Sequence, residues 1–327
     1  MPLLFAESRA PVILMYHRIA DPACDPWGLA VAPSSFDRQM RALRTHRVPL
    51  SLDEFVQRLE RGTLSRLAVA VTFDDGYGDT ALAAKPVLEE HAVPATVFLT
   101  TGYLGTRAEF WWDEIGRLIL CGREAVTGAL DIGTRSIPVQ LPAVPGDGAL
   151  RSRWRAWDAP RTPREHLYLD VWRELRPLDE DARRAGLNAA RQLFDGAAAD
   201  ARDWPMTADQ VKGLVAGTSI DVGAHSTTHR PLTTMPLDQR RQEIEESRAR
   251  CAAIAGKPIA GFSYPHGDFD AATADLVRAS GFTWACSTRG RAVDRARFDR
   301  FALPRLQAFD WTAFRLRRAL NRLRTCA

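Results

Sequence analysis

The run LAVAVTFDDGY, residues 67–77, decides the fold. From Leu67 to Phe73 it is apolar or β-branched throughout, without polar alternation, which marks a strand buried on both faces of a parallel sheet. It ends on two adjacent carboxylates, Asp74 and Asp75, followed by Gly76. Like charges at neighbouring positions are costly unless something positive stands close by. The strand end therefore asks for a cation. Neighbouring residues of a strand point to opposite faces, so the chain must bend there, and Gly76 permits the turn.

Working outward, the same apolar pattern recurs at PVILMYH (11–17) and ATVFLT (95–100). Helical patterns separate these runs: one begins near Ser34 or Ser35, one covers 51–62 behind a Ser51/Glu54 capping box, and one covers 79–91. The alternation resumes with a helix at 206–217 capped by Thr207, a strand at 219–226, a helix at 236–256, a strand at 261–265, a helix at 271–280 and a strand at 282–288. Repeated β-α alternation predicts an α/β protein whose parallel sheet is closed or nearly closed into a barrel. In such barrels chemistry sits at the C-terminal strand ends, where His17, Asp74, Asp75 and His225 fall.

Residues 104–205 interrupt the alternation and read as an insertion with two helical patterns. Trp111, Trp112, Trp154, Trp157, Trp172 and Trp204 lie in it, most of them suited to a subdomain core, with sugar stacking as the other use of such rings. The tail, 310–327, reads as a basic amphipathic helix with Phe314, Leu316, Leu320 and Leu323 apolar. It would pack on the barrel or touch an anionic membrane surface. Lys85, Lys212 and Lys257 are the only lysines among 44 basic residues, set against 40 acidic ones. The arginines are interleaved with acids along the chain, which argues against nucleic-acid binding. Cys24, Cys121, Cys251, Cys286 and Cys326 are odd in number, scattered and free of Cys-x-x-Cys pairs. Neither a disulfide framework nor a thiolate zinc site is indicated, and a reducing compartment is expected. The apolar stretch Val12–Met15 is too short for a signal core or a membrane span, so the expected location is the cytoplasm.

AHSTTHRPL (224–232) places His225 and His229 four residues apart across a strand end. Two histidines and a carboxylate make the three-ligand set of a hydrolytic zinc site with an open position for water. Asp75 or its neighbour completes that set, and the other aspartate stays free to accept a proton. GFSYPHGDFD (261–270) ends a strand in a Tyr-Pro-His-Gly turn, whose backbone N–H groups could face a developing oxyanion. Tyr264, Pro265, His266 and Gly267 are thus candidate substrate or oxyanion residues, with His266 also a possible fourth ligand. His46, His91 and His166 read as surface residues.

TFDDG (72–76), HSTTH (225–229) and FSYPHG (262–267) together resemble the three motifs of the polysaccharide deacetylase family, carbohydrate esterase family four, in its Phe-Ala-Tyr-Pro-x-Gly variant. The resemblance covers roughly 11–100 and 206–310. It implies a deformed (β/α) barrel as a single catalytic domain over 1–327, carrying the 104–205 insertion. It also implies Asp74 as catalytic base, and Asp75, His225 and His229 as ligands of a divalent metal, zinc first, with cobalt, nickel or manganese as alternatives. The implied reaction removes an N-acetyl, less often an O-acetyl, group from a sugar or glycan. The arginine that many members carry in the third motif is missing, and Arg305 in ALPRLQAF (302–309) is the candidate orienter of Asp74. Many members carry a late Leu-x-His whose histidine is the general acid; no histidine follows His266 here, and in the subgroup that the chain resembles an early Tyr-His replaces it, which implies His17 in LMYHRI (14–19) as the candidate general acid. Competing readings are a deformylase or O-acetyl esterase, an inactive carbohydrate-binding scaffold and, more distantly, a non-haem iron oxygenase with the same donor set.

Overall fold

The computed structural model describes residues 9–146, 150–194 and 199–323. The chain divides into two compact units: Met1–Ala20 with Ala30–Gly105 and Met206–Ala327, and Asp21–Leu29 with Thr106–Pro205.

The first unit is the α/β barrel. Its sheet runs in the order Leu306–Gln307, Val12–Tyr16, Ala68–Phe73, Ala95–Leu99, Ile220–Ala224, Gly261–Ser263 and Trp284–Cys286, with Val48–Pro49 also paired to Ala68–Phe73, and every pair is parallel. The central strands are buried along their whole length, as continuous apolar runs require. Each strand anticipated at 11–17, 67–73, 95–100, 219–226, 261–265 and 282–288 is present, as are the helices between them. The helix expected over 79–91 begins as a π-helical turn at Thr80–Ala84 before continuing as an α-helix over Lys85–Glu90.

The strands Val48–Pro49 and Leu306–Gln307 had no counterpart in the sequence reading. The segment from Leu303 to Ala308 spans the gap between the first and last strands. Leu303 bridges Cys286, while Leu306 and Gln307 pair with Leu14 and Met15. This short stretch nearly closes the sheet, and it carries Arg305 on its inward side, fully buried. The helix Ala313–Arg322 follows, with Leu316 and Leu320 in the core cluster beside Met40 and Leu43 of the helix Pro33–His46. The described part of the tail thus packs through Leu316 and Leu320, and residues 324–327 of the anticipated helix lie outside the described residues.

The second unit contains the helices Pro163–Leu175 and Glu180–Leu193, both capped by side chains (Thr162 and Asp179), and an antiparallel hairpin, Val126–Ile132 with Arg135–Leu141, that the sequence reading did not draw. Leu130, Ile132, Ile137, Val139 and Leu141 form its buried face. Trp111 and Trp112 are buried, and Trp172 packs on Trp27 with ring centroids 4.7 Å apart, so these indoles build core. Trp157 is exposed. A disulfide joins Cys24 to Cys121 across 97 residues. It corrects the expectation that the scattered cysteines form no such bond: the two are distant in sequence and adjacent only once the unit is folded. Cys251 and Cys286 are free and buried, and burial pushes both thiols up to about 12. No helix among the described residues is long and apolar enough to cross a membrane.

Candidate metal centre

Asp74 continues the strand register, its N–H donating to Tyr16 O at 3.0 Å. Asp75 then turns into the left-handed region at φ 72°, and Gly76 follows at φ 88°. A non-glycine residue held there costs on the order of 1–3 kcal/mol. The bend separates the two carboxylates: Asp75 faces the histidines and Asp74 faces Arg305.

His225 leaves the Ile220–Ala224 strand with its N–H on Leu99 O at 2.9 Å. The loop to His229 is also strained, with Ser226 at φ 62° and His229 at φ 57°. Asp75, Ser226, His229 and His266 are four of the five non-glycine residues with positive φ among the described residues, so backbone strain gathers at these motifs. What holds the loop is Glu243. Its Oε2 accepts the N–H groups of Thr227 and Thr228, each at 2.8 Å, and its Oε1 accepts the Thr228 hydroxyl at 2.7 Å. From the other side Gly102 donates its N–H to Thr227 O at 2.8 Å; a Cβ on Gly102 would lie 2.5 Å from that oxygen.

The ligand atoms of Asp75, His225 and His229 lie within 4.8 Å of one another, all buried. Asp75 Oδ1 is 3.5 Å from His225 Nε2 and 3.2 Å from His229 Nε2. Two donors of a tetrahedral zinc ion, each bound at 2.0–2.1 Å, stand ~3.3 Å apart, so the spacing fits the ion. The tautomer fits as well. His225 Nδ1 lies 2.7 Å from Ser263 O, a carbonyl that can only accept, so Nδ1 carries a proton and Nε2 is the ring atom turned towards Asp75. Burial pushes the Asp75 carboxyl up, but hydrogen bonds from His225 and His229, with the charges of His229 and His17, outweigh it and hold the group well below the usual carboxylate range.

Asp74 is held by Arg305: Nη1 to Oδ1 at 2.6 Å and Nη2 to Oδ2 at 2.7 Å, a two-pronged match of guanidinium to carboxylate. The remaining guanidinium protons go to Thr72 Oγ1 (3.1 Å), Ser263 Oγ (2.8 Å) and Ser287 O (3.1 Å). Burial raises the Asp74 pKa, and Arg305, with His225 and His17 adding to it, brings it below the normal value.

His17 follows the Val12–Tyr16 strand and is half-buried, with Nδ1 making no hydrogen bond. Burial lowers its pKa most, opposed by the charges of Asp75 and Asp74. Asp79 grips the next two residues, Arg18 Nε at 3.1 Å and the Ile19 N–H at 2.9 Å. In the third motif Pro265 has no N–H, while those of Tyr264 and Gly267 are donated to Cys286 O and Tyr264 O. Three of the four residues expected to offer turn N–H groups therefore do not. The Tyr264 hydroxyl is likewise engaged, with Phe301 O at 2.9 Å. His266 packs against the His229 ring at 4.5 Å, outside the converging donor set.

Sequence reasoning missed Glu243, Asp79, Thr72 and Ser287, whose roles depend on contacts across the fold. A second acidic group, Asp37 with Glu90 and His91, is partly exposed, and His91 Nε2 is already 2.7 Å from Asp37 Oδ1.

Residues 61–125 and 188–285 match the family model described as polysaccharide deacetylase, and these segments contain Asp74, Asp75, His225 and His229. The chain is a homologue of the polysaccharide deacetylases. Among characterised relatives of this deacetylase homologue, the poly-β-1,6-N-acetyl-D-glucosamine N-deacetylase of Staphylococcus epidermidis is 31% identical over 113 residues, covering 31% of this chain and 39% of the relative. The protein of the same name from Staphylococcus aureus strain MSSA476 is 32% identical over 77 residues, 23% of this chain and 27% of the relative. The matches thus span well under half of those proteins. Among solved structures, the Streptococcus pyogenes deacetylase PplD, in complex with acetate, superposes with a TM-score of 0.59 at 16% identity, covering 94% of this chain and 97% of that one. IcaB from Ammonifex degensii gives 0.59 at 17% identity, covering 96% and 98%. At such identities the likeness is one of fold: the deformed barrel with its large insertion.

Proposed function

We propose that the chain is a metal-dependent hydrolase that removes an N-acetyl group from an amino sugar or glycan. One observation carries the reading: three cation donors converge while a second carboxylate, Asp74, is held outside the set by its own arginine. Asp75, His225 and His229 would hold a divalent ion, zinc first, with cobalt, nickel or manganese as alternatives. Such an ion, when bound, supplies Lewis acidity towards an acyl oxygen and acidifies water.

The chain's own groups divide the proton work. Asp74, kept ionised by the Arg305 fork, takes a proton from the attacking water on Oδ1, which retains a lone pair beyond the one given to Arg305, whereas Oδ2 accepts from both Arg305 and Ser263. His17, with Nδ1 uncommitted at the same strand ends, gives a proton to the departing amine, which leaves poorly as an anion. Ser263 and Arg305 together take the place of the missing third-motif arginine, in keeping with the Phe-Ala-Tyr-Pro-x-Gly variant. The names of the curated relatives make β-1,6-linked N-acetylglucosamine oligomers the first substrates to offer. The Cys24–Cys121 bond, of a kind that persists in oxidising compartments, favours action outside the reducing cytosol over the cytoplasmic expectation.

The test is acetate release from N-acetylated sugars and oligomers by the zinc-loaded chain, with formate release and O-acetyl esters assayed alongside. Asp74→Asn should abolish release with metal content unchanged, and His17→Ala should lower turnover, also with metal retained. Absence of acetate across the series would refute the reaction, and metal lost from His17→Ala would refute that residue's role.

A further inference from the structure

The arginines are interleaved with acids along the sequence, but folding concentrates some of them. The helix Ala313–Arg322 carries Arg315, Arg317, Arg318 and Arg322, all exposed, and has no acidic residue. It packs on the helix Pro33–His46 through Leu316 and Leu320 against Met40 and Leu43, and Arg47 reaches across to Asn321 Oδ1 at 3.1 Å. The carboxylates in these segments are engaged: Asp37 with His91 (2.7 Å) and Arg41 (3.5 Å), and Asp310 with the Ala32 N–H (3.3 Å). The tail helix thus presents four exposed arginines and no acid on a chain that is nearly balanced in charge.

Charge alone would suit any polyanion. The aromatic residues narrow the choice. Phe314 is 71% exposed, the most exposed of the large apolar side chains among the described residues. It borders a groove of about 520 Å³ shared with Trp311, Ala319, Arg315, Arg318 and Arg322, and Arg315 lies over the Trp311 ring at 5.6 Å. At 100° per residue, Phe314, Arg315, Arg318 and Arg322 fall on one side of the helix, opposite Leu316 and Leu320. An apolar wedge ringed by arginines is what a helix lying in an anionic lipid interface requires.

The position also matters. Gln39 Nε2 donates to Phe309 O (3.0 Å) and Trp311 O (2.9 Å), while Gln39 Oε1 accepts the Tyr16 hydroxyl (2.7 Å). Tyr16 directly precedes His17. The aromatic end of the face therefore sits at the same end of the barrel as the metal centre.

We propose that the outward side of the helix Ala313–Arg322 binds the surface of an anionic phospholipid bilayer, with Phe314 as the inserted residue and its arginines on the headgroup phosphates. Binding needs no substrate and no metal, so it stands or falls separately from the reaction proposed above. The test is co-sedimentation of the full chain with phosphatidylcholine vesicles, with and without phosphatidylglycerol, over a salt series. Binding should require phosphatidylglycerol and weaken with salt. Arg315→Gln/Arg318→Gln/Arg322→Gln should lower partitioning ~100-fold, at roughly fivefold per arginine, and Phe314→Ser by about tenfold or more. Both variants alter exposed side chains and should keep the parent's melting temperature and its acetate release from a soluble substrate. The comparison of vesicle compositions needs no variant at all. Equal binding to neutral vesicles, no binding to either, or full binding by Phe314→Ser with displacement by heparin would overturn the proposal, the last by making the face a soluble-polyanion site.

Discussion

Replacing Arg305 by methionine isolates what holds Asp74. Methionine fills much of the buried volume but removes five donated hydrogen bonds, two of them to the Asp74 carboxylate at 2.6 and 2.7 Å. Arg305 is fully buried and Asp74 nearly so, which leaves solvent little chance to compensate. Removing one partner of such a pair costs about 3–5 kcal/mol, chiefly because the other charge stays buried and unpaired. Asp74→Asn alone removes the pair's attraction but keeps a polar group that Arg305 can still meet. The double variant should therefore be less destabilised than the sum of the two, with a coupling of about 3 kcal/mol by urea unfolding of the four proteins of the cycle. Arg305→Lys keeps the charge without the planar fork and should fall between wild type and Arg305→Met. Metal content should be the same in all, since Arg305 touches no member of the donor set. Coupling within ~0.5 kcal/mol of zero, the range of independent sites, would refute the reasoning.

Glu243→Gln keeps the shape but weakens the grip on Thr227 and Thr228. Metal affinity measured against a chromophoric chelator should fall ~10–100-fold, and an unchanged affinity would show that the loop needs no such anchor. Asp270 caps the helix Ala271–Ala279, and hydrogen bonds from Thr273 and Arg240 lower its pKa from 3.8 to about 2. A depressed carboxylate stabilises the fold above its unfolded pKa and loses that contribution as pH falls through the folded one. Linkage sets an upper bound of ~2.5 kcal/mol, which the side chain's 46% exposure reduces to about 1 kcal/mol. Asp270→Asn should thus cost about that much at pH 7 and almost nothing at pH 2, and a pH-independent cost would contradict the linkage. Non-reducing peptide mapping should recover Cys24 linked to Cys121, and Cys24→Ser/Cys121→Ser should lose ~2–5 kcal/mol. Free thiols at both positions in unreduced protein would count against that bond.

The barrel strands were legible because strands buried on both faces leave continuous apolar runs, and 67–73 is the plainest of them. The donor residues were legible because Asp75, His225 and His229 sit in short motifs at strand ends. Other features depend on contacts that sequence does not record. The strand Leu306–Gln307 is two residues long and its register is set by neighbours on both sides, so no periodicity announces it. The hairpin at 126–141 does alternate, but Gly128, Ala129 and Pro138 blur the pattern. In the helix Leu237–Ala255 the buried face is Arg240, Glu243, Ile244, Ser247 and Cys251. That spacing is helical, yet mostly polar residues occupy it, so nothing in the sequence marks Glu243 as buried. The basic tail helix was legible, but its packing partner was not: the helices Pro33–His46 and Ala313–Arg322 lie more than 260 residues apart in sequence.

The central claim is that one divalent ion is bound by Asp75, His225 and His229 while Asp74 is not a ligand. X-ray absorption at the zinc edge on the loaded chain, with metal counted per chain in the Asp74→Asn and Asp75→Ala variants, tests it most directly. One ion per chain, bound by two imidazole nitrogens and a carboxylate oxygen at about 2.0–2.2 Å, kept by Asp74→Asn and lost from Asp75→Ala, is the expected result. An ion retained by Asp75→Ala, lost from Asp74→Asn, or seated instead at Asp37, Glu90 and His91 would contradict it.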